Sequence, residues 1–160
     1  MAHGEHVLSI RGFVPRPRGE VFAFFAAAEN LERITPAQLR FEMITPVPIE
    51  MHAGTLIEYR LRLFGVPIYW KTRIAVWNPD TQFVDEQLKG PYAQWIHTHS
   101  FRDVEGGTEV ADTVRYRLPL FPFGEAALPL VRMQLNRIFA YRTQRIDELL
   151  GSSAGVANQV

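Results

Sequence analysis

Residues Tyr92–Leu118 read YAQWIHTHSFRDVEGGTEVADTVRYRL. Side chains alternate across an extended chain, so Trp95, His97, His99 and Phe101 share one face, and Gln94, Ile96, Thr98 and Ser100 the other. Beyond Asp103–Gly107 the pattern resumes with Val110, Asp112, Val114 and Tyr116. Two alternating runs joined by a short glycine-containing loop predict an antiparallel hairpin. The bulky apolar residues flank the histidines on their own face, so that face is expected to point inward, with Asp112 among them.

Outward from this hairpin the chain is rich in strands. Thr55–Leu63 places Ile57, Tyr59, Leu61 and Leu63 on one face and Glu58, Arg60 and Arg62 on the other. Phe64–Pro67 reads as a compact turn, Ile68–Trp77 as a strand, Asn78–Thr81 as a turn and Gln82–Lys89 as the returning strand. Near the start, His6–Val14 reads as a strand. It is followed by a helix over Glu20–Glu29 burying Val21, Phe24 and Phe25 above Ala28, and by a second short helix from Asn30 that Thr35-Pro36 breaks. Phe41–Pro48 reads as irregular. After the last strand, Thr108–Leu118, a long helix is expected over Glu125–Leu150. Leu128, Val131, Leu135, Ile138, Arg142, Ile146 and Leu149 recur along it at three- and four-residue spacing. Pro129 lies near its start and Gly151 suits its C-terminal cap. The order predicts an α+β fold: a curved antiparallel sheet burying one face against the long helix, with space between them.

Composition narrows the function. The chain has 160 residues, 47% of them hydrophobic, enough for one domain with its own core. Residues 6–150 are read as that domain, 1–5 as a flexible start and 151–160 as a disordered tail. There are no cysteines, which excludes disulfides and thiolate chemistry and fits a cytoplasmic setting. Lys+Arg and Asp+Glu both number 17, so the bulk charge does not suggest a nucleic-acid binder. No signal-peptide pattern opens the chain and no apolar run is long enough to span a bilayer, so no stable membrane insertion is expected. No cofactor motif is present: Gly106-Gly107 belongs to the hairpin loop, with no strand–loop–helix unit behind it. Ser100 and His99 point to opposite faces, so they form no catalytic pair.

The stretches PRPRGEVFAFFAAAENLERITP (residues 15–36), FGVPIYWKTRIAVWNPDTQFVDEQLKGPYAQWIHTHSF (residues 64–101) and GGTEVADTVRYRLP (residues 106–119), with the long helix behind them, resemble the START-like or Bet v 1-like superfamily, and within it the bacterial polyketide-cyclase and lipid-transfer type domains. The resemblance covers residues 6–150. It implies a helix-grip fold, a seven-stranded antiparallel sheet wrapped around the C-terminal helix with an internal cavity, and therefore a further strand within 41–51. It implies ligand carriage or aromatase/cyclase-type chemistry, with no shared catalytic set.

The expected function is therefore binding of a small hydrophobic or aromatic molecule with one polar end, by a monomer or homodimer. Tyr59, Trp70, Arg73, Glu86, Trp95, His97, His99 and Tyr116 are the expected ligand contacts. Glu86 is assigned inward because it shares its face with Val84 and Leu88, with Arg62 or Arg73 as its ion-pair partner. Trp70 is assigned to the cavity face with Ile68, Thr72, Ile74 and Val76, and Trp77 to the opposite face near Phe83. Arg142 interrupts the apolar stripe and either reaches into the pocket to bind a ligand carboxylate or, the favoured reading, snorkels to water. An enzyme alternative makes His97 or His99 a general acid/base oriented by Asp112, with Tyr59, Tyr116 or Arg73 steadying an enolate oxygen. Metal binding by His-x-His with Asp112 or Glu86 is a further reading, outweighed because any alternating strand can produce that spacing. A protein-interaction module would instead fill its core and expose Phe121–Phe123.

Overall fold

The computed structural model describes residues 3–151. The expected tail falls outside the described residues from position 152 onward, as do positions 1 and 2 of the expected flexible start. The strands are β1 (Glu5–Val14), β2 (Glu42–Met43), β3 (Leu56–Leu63), β4 (Val66–Asn78), β5 (Gln82–Lys89), β6 (Gln94–Val104) and β7 (Gly107–Arg117). The helices are α1 (Arg18–Ala26), α2 (Asn30–Arg33) and α3 (Leu128–Ile146). The strands form one antiparallel sheet in the order β1-β7-β6-β5-β4-β3-β2. The first strand thus pairs with the last, and α1 and α2 carry the chain from one sheet edge to the other. This is the helix-grip architecture that the sequence implies.

Local chemistry explains the turns. Phe64 and Gly65 both take positive φ (51° and 76°) between the paired Leu63 and Val66, the twist a two-residue hairpin requires. Val66 and Pro67 therefore belong to β4 rather than to the turn. At the β6–β7 turn, Gly106 has φ 84°, and Asp103 and Val104 extend β6 rather than open a loop. The strand implied within 41–51 is present but only two residues long, pairing Glu42 and Met43 with Arg60 and Tyr59. Ile44 and Thr45 continue it by donating their N–H groups to the Glu58 carbonyl.

β4 carries the main departure from simple alternation. Ile74 pairs with Asp85, but Val76 pairs with Val84, leaving Ala75 as an extra residue in a bulge. The bulge reverses parity beyond it. Val76 turns outward, and Trp77, expected on the outside, packs inside against Phe22 (ring centroids 5.1 Å) and Phe83 (5.8 Å). Its expected partner Phe83 is therefore correct and its expected face is not.

The helices also differ in detail. In α1 the buried residues are Val21 and Phe22, while Phe24 and Phe25 are half-buried and turn toward the sheet's concave side. The long helix begins with a 3₁₀ turn over Phe123–Ala127 and ends in a π turn over Asp147–Gly151, so Gly151 closes that turn instead of capping an α-helix. Leu135, Phe139 and Ile146 are its buried residues, and Leu150 continues them in the π turn. Phe121 and Phe123 are exposed at 57% and 84% and do not line the cavity. Among the described residues no helix is long and apolar enough to cross a membrane.

Candidate functional site

A cavity of about 140 Å³ lies between the sheet's concave face, α1–α2 and α3. Tyr59, Leu61 and Leu63 on β3, Trp70, Thr72 and Ile74 on β4, and Trp95, His97 and His99 on β6 form one wall. Phe24, Phe25, Leu31 and Ile34 form a second, and Leu135, Ile138, Phe139 and Arg142 on α3 the third. The lining is largely aromatic and aliphatic. Tyr59 stacks on Trp70 at 15°, and Trp70 meets Trp95 edge-on. Polar groups interrupt it, among them the Trp70 indole N–H, the Arg142 guanidinium and a buried histidine–aspartate cluster, with Asn30, Thr35, Thr72 and Gln134 also in the lining.

The cluster follows from strand register. In β6·β7, His99 is directly opposite Asp112 and His97 opposite Val114. In β5·β6, His97 is directly opposite Asp85 and His99 opposite Phe83. Each aspartate is therefore opposite one histidine and diagonal to the other, within reach of both. Two residues apart on one strand face, the imidazoles lie with ring centroids 3.7 Å apart. Phe83 stacks on the outer side of His99 at 4.2 Å.

Each imidazole meets both carboxylates. His97 Nε2 is hydrogen-bonded to Asp112 Oδ1 at 3.0 Å, the one hydrogen bond between Asp112 and these two rings, and its Nδ1 faces Asp85 Oδ2 at 3.8 Å. His99 Nε2 is hydrogen-bonded to Asp85 Oδ2 at 2.8 Å. His99 Nδ1 lies 2.9 Å from Asp112 Oδ1, but without hydrogen-bond alignment, so that contact is electrostatic.

Burial and neighbours set the charges. For Asp112, burial pushes the carboxyl up, but the hydrogen bond from His97 and the close contact with His99 outweigh it and hold the group far below the usual carboxylate range. Asp85 is likewise held down against burial by its His99 hydrogen bond and by the charges of His97, His99 and Arg142. His97 is lowered, by burial and then by the neighbouring His99 charge. His99 is raised, because its contacts with Asp112 and Asp85 overcome burial. These shifts favour ionised carboxylates and favour a proton on His99 over one on His97. With the Arg142 cation, one such proton balances the two carboxylates.

Several expectations need correction. Glu86 faces outward, where it is hydrogen-bonded by Arg73 (Nε–Oε1 2.8 Å), so both leave the cavity wall. Val84 and Leu88 form an outer face, while Phe83 and Asp85 face in. Asp85, not Glu86, is the inward acid. Tyr116 is buried beside the cavity, packed between His6 and Tyr92, without lining it. Arg142 is half-buried: it lies over the Phe139 ring at 5.1 Å and lines the cavity, and among the described residues its buried Nε has no partner. The inward partner of Asp85 was discoverable in principle from the β5–β6 register, which sets Phe83 against His99, but alternation alone left two apolar faces to choose from.

No protein-family model matches the chain, and no curated protein sequence matches it. Solved structures do. TTHA0849 from Thermus thermophilus superposes with a TM-score of 0.74 at 16% identity, covering 94% of this chain and 100% of its own. Major latex-like protein 151 from Panax ginseng gives 0.64 at 11% identity, covering 92% and 98%. A nucleoside-diphosphate sugar epimerase from Corynebacterium glutamicum gives 0.66 at 26% identity; 88% of this chain matches 28% of that longer one. The seven-stranded antiparallel sheet curved around α3 and these likenesses agree: the chain has the Bet v 1-like helix-grip fold.

Proposed function

We propose that the protein binds a small aromatic or apolar acid in the cavity. The observation that carries this reading is Arg142: a cation held in an aromatic-lined space, with a buried Nε that no protein group accepts from. An unpaired buried donor costs about 1–3 kcal/mol, which a ligand carboxylate would offset with a charge-assisted hydrogen bond. The Trp70 indole N–H, only 5% exposed and also unpartnered, supplies a second donor. Size supports a ligand of one ring, because an apolar cavity of ~150 Å³ takes up benzene. The open space favours ligand binding over a protein-interaction module with a filled core. The acid/base alternative is less well supported, because the His97 and His99 nitrogens that do not meet Asp112 face Asp85 instead of a free position.

The test is ligand-observed NMR and calorimetric titration with benzoate, phenylacetate and benzamide. The carboxylates are expected to bind one per chain, at least ~10-fold tighter than the neutral amide, as a charge-assisted hydrogen bond predicts. Arg142→Gln should abolish that preference while leaving the amide's affinity in place. Failure of all three probes to bind, or a preference that survives Arg142→Gln, would refute the reading.

A further inference from the structure

The histidine–aspartate cluster has a geometry that ligand binding by Arg142 does not use. His97 donates through Nε2 to Asp112, so its Nδ1 carries the lone pair when the ring is neutral. That lone pair faces the anionic Asp85 Oδ2 at 3.8 Å, and no hydrogen bond reaches Nδ1 among the described residues. A lone pair opposed to a carboxylate oxygen in a buried site is unfavourable unless a cation lies between them. His99 Nε2 converges on the same oxygen from the neighbouring ring. One donor atom from each of Asp85, His97 and His99 thus falls within 4.8 Å of the others.

We propose that Asp85 Oδ2, His97 Nδ1 and His99 Nε2 form a three-ligand site for a divalent transition-metal cation such as Zn²⁺, with Asp112 holding both imidazoles from behind. Donors at bond lengths of about 2.0–2.2 Å in a tetrahedral site lie ~3.4 Å apart. The observed Asp85–His99 and Asp85–His97 separations of 2.8 and 3.8 Å bracket that value. Asp112 supplies what a metal-binding imidazole ordinarily needs on its far side, a carboxylate that fixes its orientation and raises its basicity. It does so for His97 by a hydrogen bond at 3.0 Å and lies 2.9 Å from His99 Nδ1 as a counter-charge. All three ligand residues line the cavity. The ion would replace the proton between Asp85 and His99 and would meet the lone pair of His97. Arg142 opposes the cation, because its charge also acts on Asp85.

The probe is Zn²⁺, titrated against a chromophoric chelator into chelator-stripped, full-length protein, with Co²⁺ for its visible absorption. Zinc is expected to bind one per chain with micromolar or tighter affinity, and Co²⁺ to give the intense bands of a low-coordinate nitrogen–oxygen site. Asp112→Asn should weaken zinc roughly 10–100-fold, the usual loss for an outer partner. Asp85→Asn, which removes a ligand, should cost at least as much. Arg142→Gln should tighten zinc, by roughly tenfold for the loss of a nearby weakly screened charge, while weakening benzoate. This opposite response separates the metal site from the acid-binding reading, since either can fail alone. If the aspartate variants do not fold, zinc-edge anomalous diffraction from the wild-type protein decides: the peak should lie about 2.0–2.2 Å from the three named atoms. Absence of a stoichiometric ion, zinc affinity unchanged in folded Asp85→Asn, or a peak elsewhere overturns the proposal.

Discussion

Asp112→Ala offers a direct measure of the buried cluster's contribution to stability. Asp112 is 8% exposed and is met by both imidazoles, at 3.0 and 2.9 Å. Its removal leaves the His97 Nε2–H without an acceptor and the cationic His99 without its nearest counter-charge on that side. Breaking a buried charge pair costs about 3–5 kcal/mol. His99 can shed its proton and limit that loss, but the buried His97 Nε2–H then remains unpaired, at about 1–3 kcal/mol. With His99 kept cationic the loss is about 3–5 kcal/mol. For a chain of this length that lowers Tm by roughly 6–20 °C. Glu86→Gln is the control. It removes the outer pair with Arg73, whose side chain is 49% exposed, and surface pairs contribute about 0–1 kcal/mol. Urea and thermal melts of the metal-free proteins at neutral pH, followed by circular dichroism, supply both numbers. The acid range adds a check. The folded Asp112 carboxyl is held below its ordinary value of 3.8, so its stabilisation is present above that pH and is lost as pH falls below it. The variant should lose less stability than wild type across that acid window. Equal destabilisation by Asp112→Ala and Glu86→Gln would refute the assignment of Asp112 as the hub of a buried network.

Two further outcomes follow from packing and burial. A Cβ at Gly107 would press into the Val14 carbonyl oxygen and lie 2.9 Å from the Pro15 Cα, whereas one at Gly12 meets nothing within 4 Å. Gly107→Ala should therefore destabilise by about 1–3 kcal/mol through overpacking, and Gly12→Ala, in the same β1–β7 ladder, should be close to neutral in a urea melt. Burial raises the Tyr59 and Tyr92 phenols above their ordinary value of 10.0, with further help from the Asp85 charge at Tyr59. Their stabilisation is present below that value and declines as pH rises above it. Phenolate absorbance should show these two groups ionising only together with unfolding; reversible titration of all five tyrosines near pH 10.0 in the folded protein would contradict their burial.

How far the sequence could be read depended on whether a feature is local or set by a neighbouring strand. The alternation of Trp95, His97, His99 and Phe101, and of Val110, Asp112, Val114 and Tyr116, is local: period two assigns a face without reference to any partner. The apolar spacing along the C-terminal helix is local in the same way. Together with the turn residues, these determined the antiparallel sheet, the gripping helix, the inward histidines and their proximity to Asp112. The faces of β5 and the second half of β4 were not local properties. On β5, Val84 and Leu88 made one face apolar and Phe83 the other. Only hydrogen-bond register with β6 sets Phe83 against His99 and Asp85 against His97. On β4, the unpaired Ala75 turns Trp77 inward, and a bulge of one residue leaves no mark on an alternating sequence. Arg142 interrupts a helical stripe in sequence; the cavity beneath it and the Phe139 ring that supports it arise from the fold as a whole. The sequence by itself thus determined which residue types line the sheet. Tertiary structure decided which acid completes the cluster and where the cation lies, because both depend on the register of separate strands and on the space left between sheet and helix.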